Sequence, residues 1–272
     1  STTNSEYALT IGDMLGYATA IGLDNDPQTD NPNTGSVYVR VRAYIGAGGL
    51  ENFSDVQMIN LEWAESDDDD GPMLPMIAVP GNHQGWDPPT APHLAASAMG
   101  ETNYEGFVWL DGEYKFLAPD ADGNFNWGNT DWGDDGTFTG VLVETDEVNC
   151  TTPAGYYLLK ANTTALTYNA TLTNWGVIGN ATPTGWDSDT DMIYDQATGL
   201  WTLTLELTEQ VPTDNGLKFR ANDGWDLNLG DTGGDGILEF GGDNIGVPES
   251  GTYLITLDLR NPRHYTYTLE LL

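Results

Sequence analysis

A set of residues recurs in this chain at a spacing of about 100 positions, the size of one small domain. The first copy runs Val79-Pro80-Gly81-Asn82, Gly85-Trp86-Asp87, Tyr114-Lys115-Phe116, Trp127 and Gly155-Tyr156-Tyr157. The second runs Val177-Ile178-Gly179-Asn180, Gly185-Trp186-Asp187, Leu217-Lys218-Phe219, Trp225-Asp226 and Gly251-Thr252-Tyr253. A domain-sized repeat means that one supersecondary plan must satisfy both stretches. The shared elements are short apolar runs punctuated by Gly, Asn, Asp and Pro, which reads as strands and turns.

Candidate strands in the first copy are 76–79, 107–110, 113–117, 138–144, 156–159 and 165–172. Those in the second are 175–179, 201–207, 217–221, 237–240, 252–259 and 265–271. Helix is expected only as a turn near His93–Ala98. Many short strands at regular spacing predict an all-β fold of tandem β-sandwiches. Residues 1–70 differ: Ile11, Met14 or Leu15, Ala18 and Ile21 share a helical face between a Thr10 N-cap and Gly22. Strands follow at Val37–Val41 and Val56–Trp63, too few for a free-standing core. The run Asp67-Asp68-Asp69-Asp70-Gly71-Pro72 reads as a linker, giving units 1–70, 71–172 and 173–272, with the last expected to fold alone.

Forty-two acidic residues against 8 basic ones leave a net charge of −34. That surface repels nucleic acid and anionic lipid, so neither is an expected partner. No apolar run approaches the length of a membrane span, and Cys150, the only cysteine, is read as structural. The start at Ser1 reads as that of a trimmed mature fragment. The three histidines have no metal-ligand spacing, and carboxylate pairs are too abundant to mark a glycosidase. No enzyme is expected. Asp120-Ala121-Asp122-Gly123-Asn124 follows the first half of a calcium loop but lacks its closing acid, leaving Asp120, Asp122 and Asn124 as weak calcium candidates and no other cofactor.

The chemistry lies in the duplicated residues. The chain has only three lysines, and two of them, Lys115 and Lys218, occupy matching places between tryptophans. Trp86, Trp127, Trp186 and Trp225 sit among Gly, Asp and Asn, the setting of exposed loop residues, whereas Trp63, Trp109, Trp175 and Trp201 read as core. A neutral sugar presents C–H faces edged by hydroxyls. Paired rings with a lysine between them would cradle a curved ligand, and Asn126, Asn129, Asn222, Asp226 and Asn228 would serve its hydroxyls.

Gly185-Trp186-Asp187, Leu217-Lys218-Phe219-Arg220-Ala221-Asn222 and Trp225-Asp226-Leu227-Asn228-Leu229-Gly230 resemble the starch-binding modules of SusE/SusF-type surface lipoproteins of Bacteroidetes. They are also similar to the starch-binding modules of fungal glucoamylase and bacterial pullulanases. Residues 36–63 resemble the end of the Ig-like domain that precedes the modules in SusE-like proteins. The resemblance implies a non-catalytic α-glucan binder, lipid-anchored on the outer membrane beside a SusC/SusD-like transporter complex. Its ligand would be starch, glycogen or maltooligosaccharide, held by Trp86, Lys115 and Trp127, and by Trp186, Lys218, Arg220, Asn222, Trp225, Asp226 and Asn228. A β-glucan such as laminarin, an accessory region of a glycosidase and a structural adhesin stay open as alternatives. The first copy departs from the pattern: Trp127 is 12 residues past Lys115, whereas Trp225 is 7 past Lys218. With Trp132 as an extra candidate, a wider platform with fewer polar anchors is expected there.

Overall fold

A computed structural model describes residues 11–23, 32–44, 51–62, 74–210 and 216–272. The Asp67–Pro72 linker, Thr10 and Trp63 lie outside the described residues. The chain divides into two compact units, Ser1–Met73 and Leu74–Leu272. In the first, helix α1 (Ile11–Ala20) ends at Gly22, whose φ of 76° is the left-handed stop that the sequence predicts. Strand β1 (Thr34–Val39) pairs antiparallel with β4 (Gln57–Glu62), and β2 (Arg42–Tyr44) with β3 (Glu51–Phe53). Ala18, Leu23 and Leu61 form its small core, with Met14, Val37 and Ile59 packed against it.

Among its described residues the Leu74–Leu272 unit is built of β-strands and two short 3-10 turns, at Asn82–Gln84 and Pro88–Thr90. Its first half contains β5 (Met76–Ala78), β6 (His93–Ala96), β7 (Asn103–Tyr114), β8 (Phe116–Leu117), β9 (Asp131–Asp134), β10 (Leu142–Val143), β11 (Cys150–Asn162) and β12 (Thr167–Leu172). They lie in the order β10-β9-β8-β5-β6-β7-β11-β12. The second half contains β13 (Trp175–Gly179), β14 (Gly185–Asp191), β15 (Ile193–Asp195), β16 (Leu200–Leu207), β17 (Lys218–Ala221), β18 (Asn228–Gly230), β19 (Ile237–Phe240), β20 (Gly251–Asp258) and β21 (Tyr265–Leu271). These lie in the order β14-β13-β17-β18-β19-β21-β20-β16-β15. Every ladder between named strands is antiparallel, so the all-β expectation holds.

Two local expectations change. His93–Ala96 is a strand, its backbone taken up by Met76–Ala78 and Ala95–Ala96 pairing with β7, not a helical turn. The separate short runs 107–110 and 113–117 belong mostly to one 12-residue strand, β7, because Gly112 at φ 95° lets the chain continue through the break in apolar pattern.

The duplication extends into the core. Asp134 is buried, accepts N–H bonds from Gly136 and Phe138, and accepts the Tyr168 hydroxyl at 2.7 Å. Asp231 accepts N–H bonds from Gly234, Asp235 and Gly236, and the Tyr267 hydroxyl at 2.9 Å. Phe116 meets Tyr168 and Phe219 meets Tyr267 at the same 5.9 Å between centroids. A buried carboxylate needs this complete set of donors.

The halves also share a core. Phe107, Tyr156 and Leu158 of the first half pack in one buried cluster with Trp175, Trp201, Tyr253 and Tyr265 of the second. Phe107 alone touches four rings, those of Tyr156, Trp175, Phe240 and Tyr265. The second half therefore completes its core with aromatic residues from the first. Cys150 lies buried in the core of the first half, where desolvation pushes its thiol up to about 12, consistent with a structural role.

Candidate functional site

The four tryptophans that the sequence places in loops come together as two pairs. Trp86 and Trp127 have ring centroids 6.1 Å apart with planes inclined by 37°. Trp186 and Trp225 stand 6.0 Å apart at 40°. Trp127 and Trp225 are each 48% exposed, and their partners are half-buried. The two platforms thus have the same spacing and inclination, although the loops that make them differ in length.

The turn before each inner ring is sharp. In the second copy Gly185, at φ 59°, takes the left-handed turn and opens β14, so Trp186 is the second residue of that strand rather than lying in a loop. In the first copy Gly85, at φ 77°, is followed by Trp86 itself at φ 63°. A non-glycine residue held there costs on the order of 1–3 kcal/mol, and such strain persists only where neighbours enforce it. Here the Trp86 indole N–H donates to Asn82 Oδ1 at 2.7 Å, and the Trp127 N–H donates to the Trp86 carbonyl at 3.1 Å. The first pair is locked from within. The indole N–H groups of Trp186 and Trp225 make no hydrogen bond to the described residues.

The five extra residues before Trp127 do not widen the first platform. They close a turn in which Asp120 N–H donates to the Asn124 carbonyl and Asp120 Oδ1 accepts the N–H groups of Asp122 and Asn124. The calcium candidates Asp120, Asp122 and Asn124 all sit in this turn. Among the described residues no three His, Cys, Asp or Glu side chains are grouped to hold a metal ion. Asn129 donates to the carbonyls of Ala118 and Asn124, tying the loop down, and the Asn126 carbonyl accepts the Asn129 N–H.

Trp132 is a correction. It is only 7% exposed, packs in the core of the first half and donates its N–H to Glu144. The register explains why: Trp132 faces Phe116 across the β8–β9 ladder, as Leu229 faces Phe219 across β17–β18. It fills a leucine's place in the core and is not part of the platform.

The two lysines differ. Lys115 Nζ donates to Asp131 at 2.7 Å and to Glu147 at 2.5 Å. Burial disfavours its charge, but the two carboxylates outweigh burial and raise its pKa, while Lys115 holds Glu147 below its ordinary value. Its ammonium is thereby taken out of any ligand site. Opposite Arg220 in the second copy stands Asn228, where the first has Asp131 opposite Leu117, so the first of those carboxylates is lost. Lys218 makes no ion pair with the described residues. Burial lowers its pKa, opposed by the more distant charge of Asp243.

The other candidates of the second copy divide. Asn222, at φ 57°, donates to the Leu172 carbonyl and accepts the Asn174 N–H, so this exposed side chain clamps the passage between the halves. Asn228 donates to the Trp225 carbonyl at 2.9 Å, shaping the loop that carries that ring, and its Oδ1 is left without a partner. Asp226 is exposed. Arg220 pairs with Asp189 at 2.8 Å, with the two side chains 8% and 3% exposed, and its guanidinium lies 5.4 Å from the Trp225 ring centroid. Burial works against the Asp189 charge, but Arg220 wins and the pKa is lowered; the Asp189 charge in turn raises neighbouring Asp223. Asp189 was visible in the sequence only as one of a run of aspartates; strand alternation puts Asp187, Asp189 and Asp191 on one face, and it is the partner Arg220, two strands away across Gly176, that distinguishes Asp189.

No protein-family model matches the chain, and no curated protein matches it in sequence. Among solved structures it is similar to SusF from Bacteroides thetaiotaomicron, with a TM-score of 0.30 and 14% identity. The alignment covers 88% of this chain and 58% of SusF, so the chain spans less than two thirds of that protein.

Proposed function

We propose that the Leu74–Leu272 unit is a non-catalytic glycan-binding region that captures α-1,4-glucan on two tryptophan platforms. The observation that carries this reading is the recurrence of one half-exposed Trp pair, at 6.1 Å and 37° and again at 6.0 Å and 40°. Indole faces exposed to water at a fixed inclination serve no packing purpose, whereas sugar C–H faces stack on them. Rings inclined to one another follow a chain that bends between successive residues, as an α-1,4-glucan does; a flat chain would call for coplanar rings. Lys218 and the two unpaired indole N–H groups add polar contacts to the second platform.

Two platforms on one polymer raise avidity through effective concentration, so each site can be weak alone. Following the resemblance of the modules, the proposed setting is the outer-membrane surface, through a lipid anchor, beside a SusC/SusD-like importer of oligosaccharides. No helix among the described residues is long and apolar enough to cross a membrane.

The test is calorimetry against amylose, pullulan, laminarin and xylan. Amylose and pullulan should bind, and Trp186→Ala and Trp225→Ala should each cost about 1–3 kcal/mol with short maltooligosaccharides. Unchanged affinity in both variants would place the site elsewhere. Binding of laminarin alone would assign the platforms to a β-1,3-glucan. Release of reducing sugar, abolished by one Asp or Glu substitution, would overturn the non-catalytic assignment.

A further inference from the structure

The registers of the two halves align three residues that the sequence repeat does not match. In the second half Gly176 lies opposite Arg220 on one side and Asp191 on the other. In the first, Ala78 lies opposite Leu117 and His93. Two residues before each of the latter partners stand Asp189 and Ala91. The set Gly176, Asp189 and Arg220 therefore corresponds to Ala78, Ala91 and Leu117. The second set is a buried apolar cluster, with Phe125 packed against it. The first is a buried ion pair with a glycine beside it.

The glycine fits that exchange. A Cβ at Gly176 would come within 2.6 Å of Asp189 Oδ2, so the carboxylate occupies the space that a side chain would fill. At Ala78 no carboxylate is present and a methyl is accommodated. The outer tryptophans differ in the same sense. Trp127 is held by its own N–H bond to Trp86, while Trp225 has no such bond and instead has the Arg220 guanidinium 5.4 Å from its ring.

We propose that Arg220 is a positioning residue and not a ligand contact: its ion pair with Asp189 braces the Trp225 ring at its angle to Trp186, a support that the first platform obtains from the indole hydrogen bond of Trp127 to Trp86. The proposal rests on the second platform being the glycan site, but its central readout does not. A guanidinium 8% exposed offers little surface to a sugar hydroxyl, whereas its planar face suits an indole. A buried pair is costly to break from one side and cheap to replace whole by apolar groups of similar volume. The two halves have the two alternatives.

Two tryptophans 6.0 Å apart produce an exciton couplet in circular dichroism, measurable without ligand. In the full chain with Trp86→Ala and Trp127→Ala, the contribution of the second pair is the part of the spectrum lost on adding Trp225→Ala. Asp189→Asn should at least halve that couplet in the free protein and weaken maltohexaose binding tenfold or more. Grafting the apolar set, Gly176→Ala with Asp189→Ala and Arg220→Leu, should restore the stability that Asp189→Asn loses but neither the couplet nor the affinity, because it brings no indole hydrogen bond to Trp225. A folded graft that keeps the couplet but loses tenfold in affinity would make Arg220 a ligand contact and overturn the proposal. Asp189→Asn with the couplet intact would overturn it too. Should the graft not fold, Arg220→Lys decides: the brace requires loss of couplet before any ligand is added. If the parent binds no maltohexaose while the couplet follows this pattern, the glycan reading fails and the brace stands.

Discussion

Phe107→Ala tests whether the two halves of the Leu74–Leu272 unit stand or fall together. Phe107 is 4% exposed and touches the rings of Tyr156, Trp175, Phe240 and Tyr265 at centroid separations of 5.0 to 6.4 Å. Three of those four belong to the second half. Truncating a buried phenylalanine leaves a cavity whose lining loses its contacts, a cost of about 3–5 kcal/mol. For a cooperative unit of 150–250 residues each kcal/mol lowers Tm by about 2–4 °C, so a fall of roughly 6–20 °C is expected. Differential scanning calorimetry of the full chain should show one transition for this unit, moving as a whole. Residues 173–272 expressed alone should melt with low cooperativity, because Trp175, Tyr265 and Phe240 lose their Phe107 cover. Two separate transitions with only the first shifted, or a cost below about 1 kcal/mol, would refute the shared core.

The lysines should separate stability from binding. Lys115→Met leaves Asp131 and Glu147 without their shared cation and should cost about 1.5–3 kcal/mol of stability, the range for hydrogen bonds to charged groups, with little effect on maltooligosaccharide affinity. Lys218→Met should do the reverse, and urea melts beside titration calorimetry would show it. Glu147 is held below its ordinary 4.5 by Lys115, so its contribution is present above that value and lost as pH falls through the folded pKa; Lys115→Met should flatten that acid limb. His83 adds a second acid step: burial lowers it from 6.5 to about 4, so the unfolded chain takes up a proton first and stability falls between those values as pH drops. His83→Asn should remove a one-proton slope from that window in a stability–pH series.

The repeat, the β class and the pairing tryptophans were legible in the sequence, because the glycines before Trp86 and Trp186 and the Gly, Asn and Asp around Trp127 and Trp225 locally dictate turns. The helix from Ile11 and its stop at Gly22 were legible for the same reason, local periodicity and a left-handed cap. What could not be read depends on partners distant in sequence. Lys115, between β7 and β8, and Lys218, at the start of β17, occupy matching places in the repeat, yet one is neutralised by carboxylates 16 and 32 residues away and the other is not. Trp132 looked like a third platform ring until register placed it opposite Phe116 in the core. Arg220 and Asn222 read alike as hydroxyl ligands, yet one is paired with Asp189 across β13 and the other, still exposed, clamps the backbone between the halves. Local sequence decides which way a turn points and which residues are candidates for a surface. Which charges remain unpaired there is decided by strand register, since an ion pair depends on distance in space and the chain brings its partner from anywhere along its length.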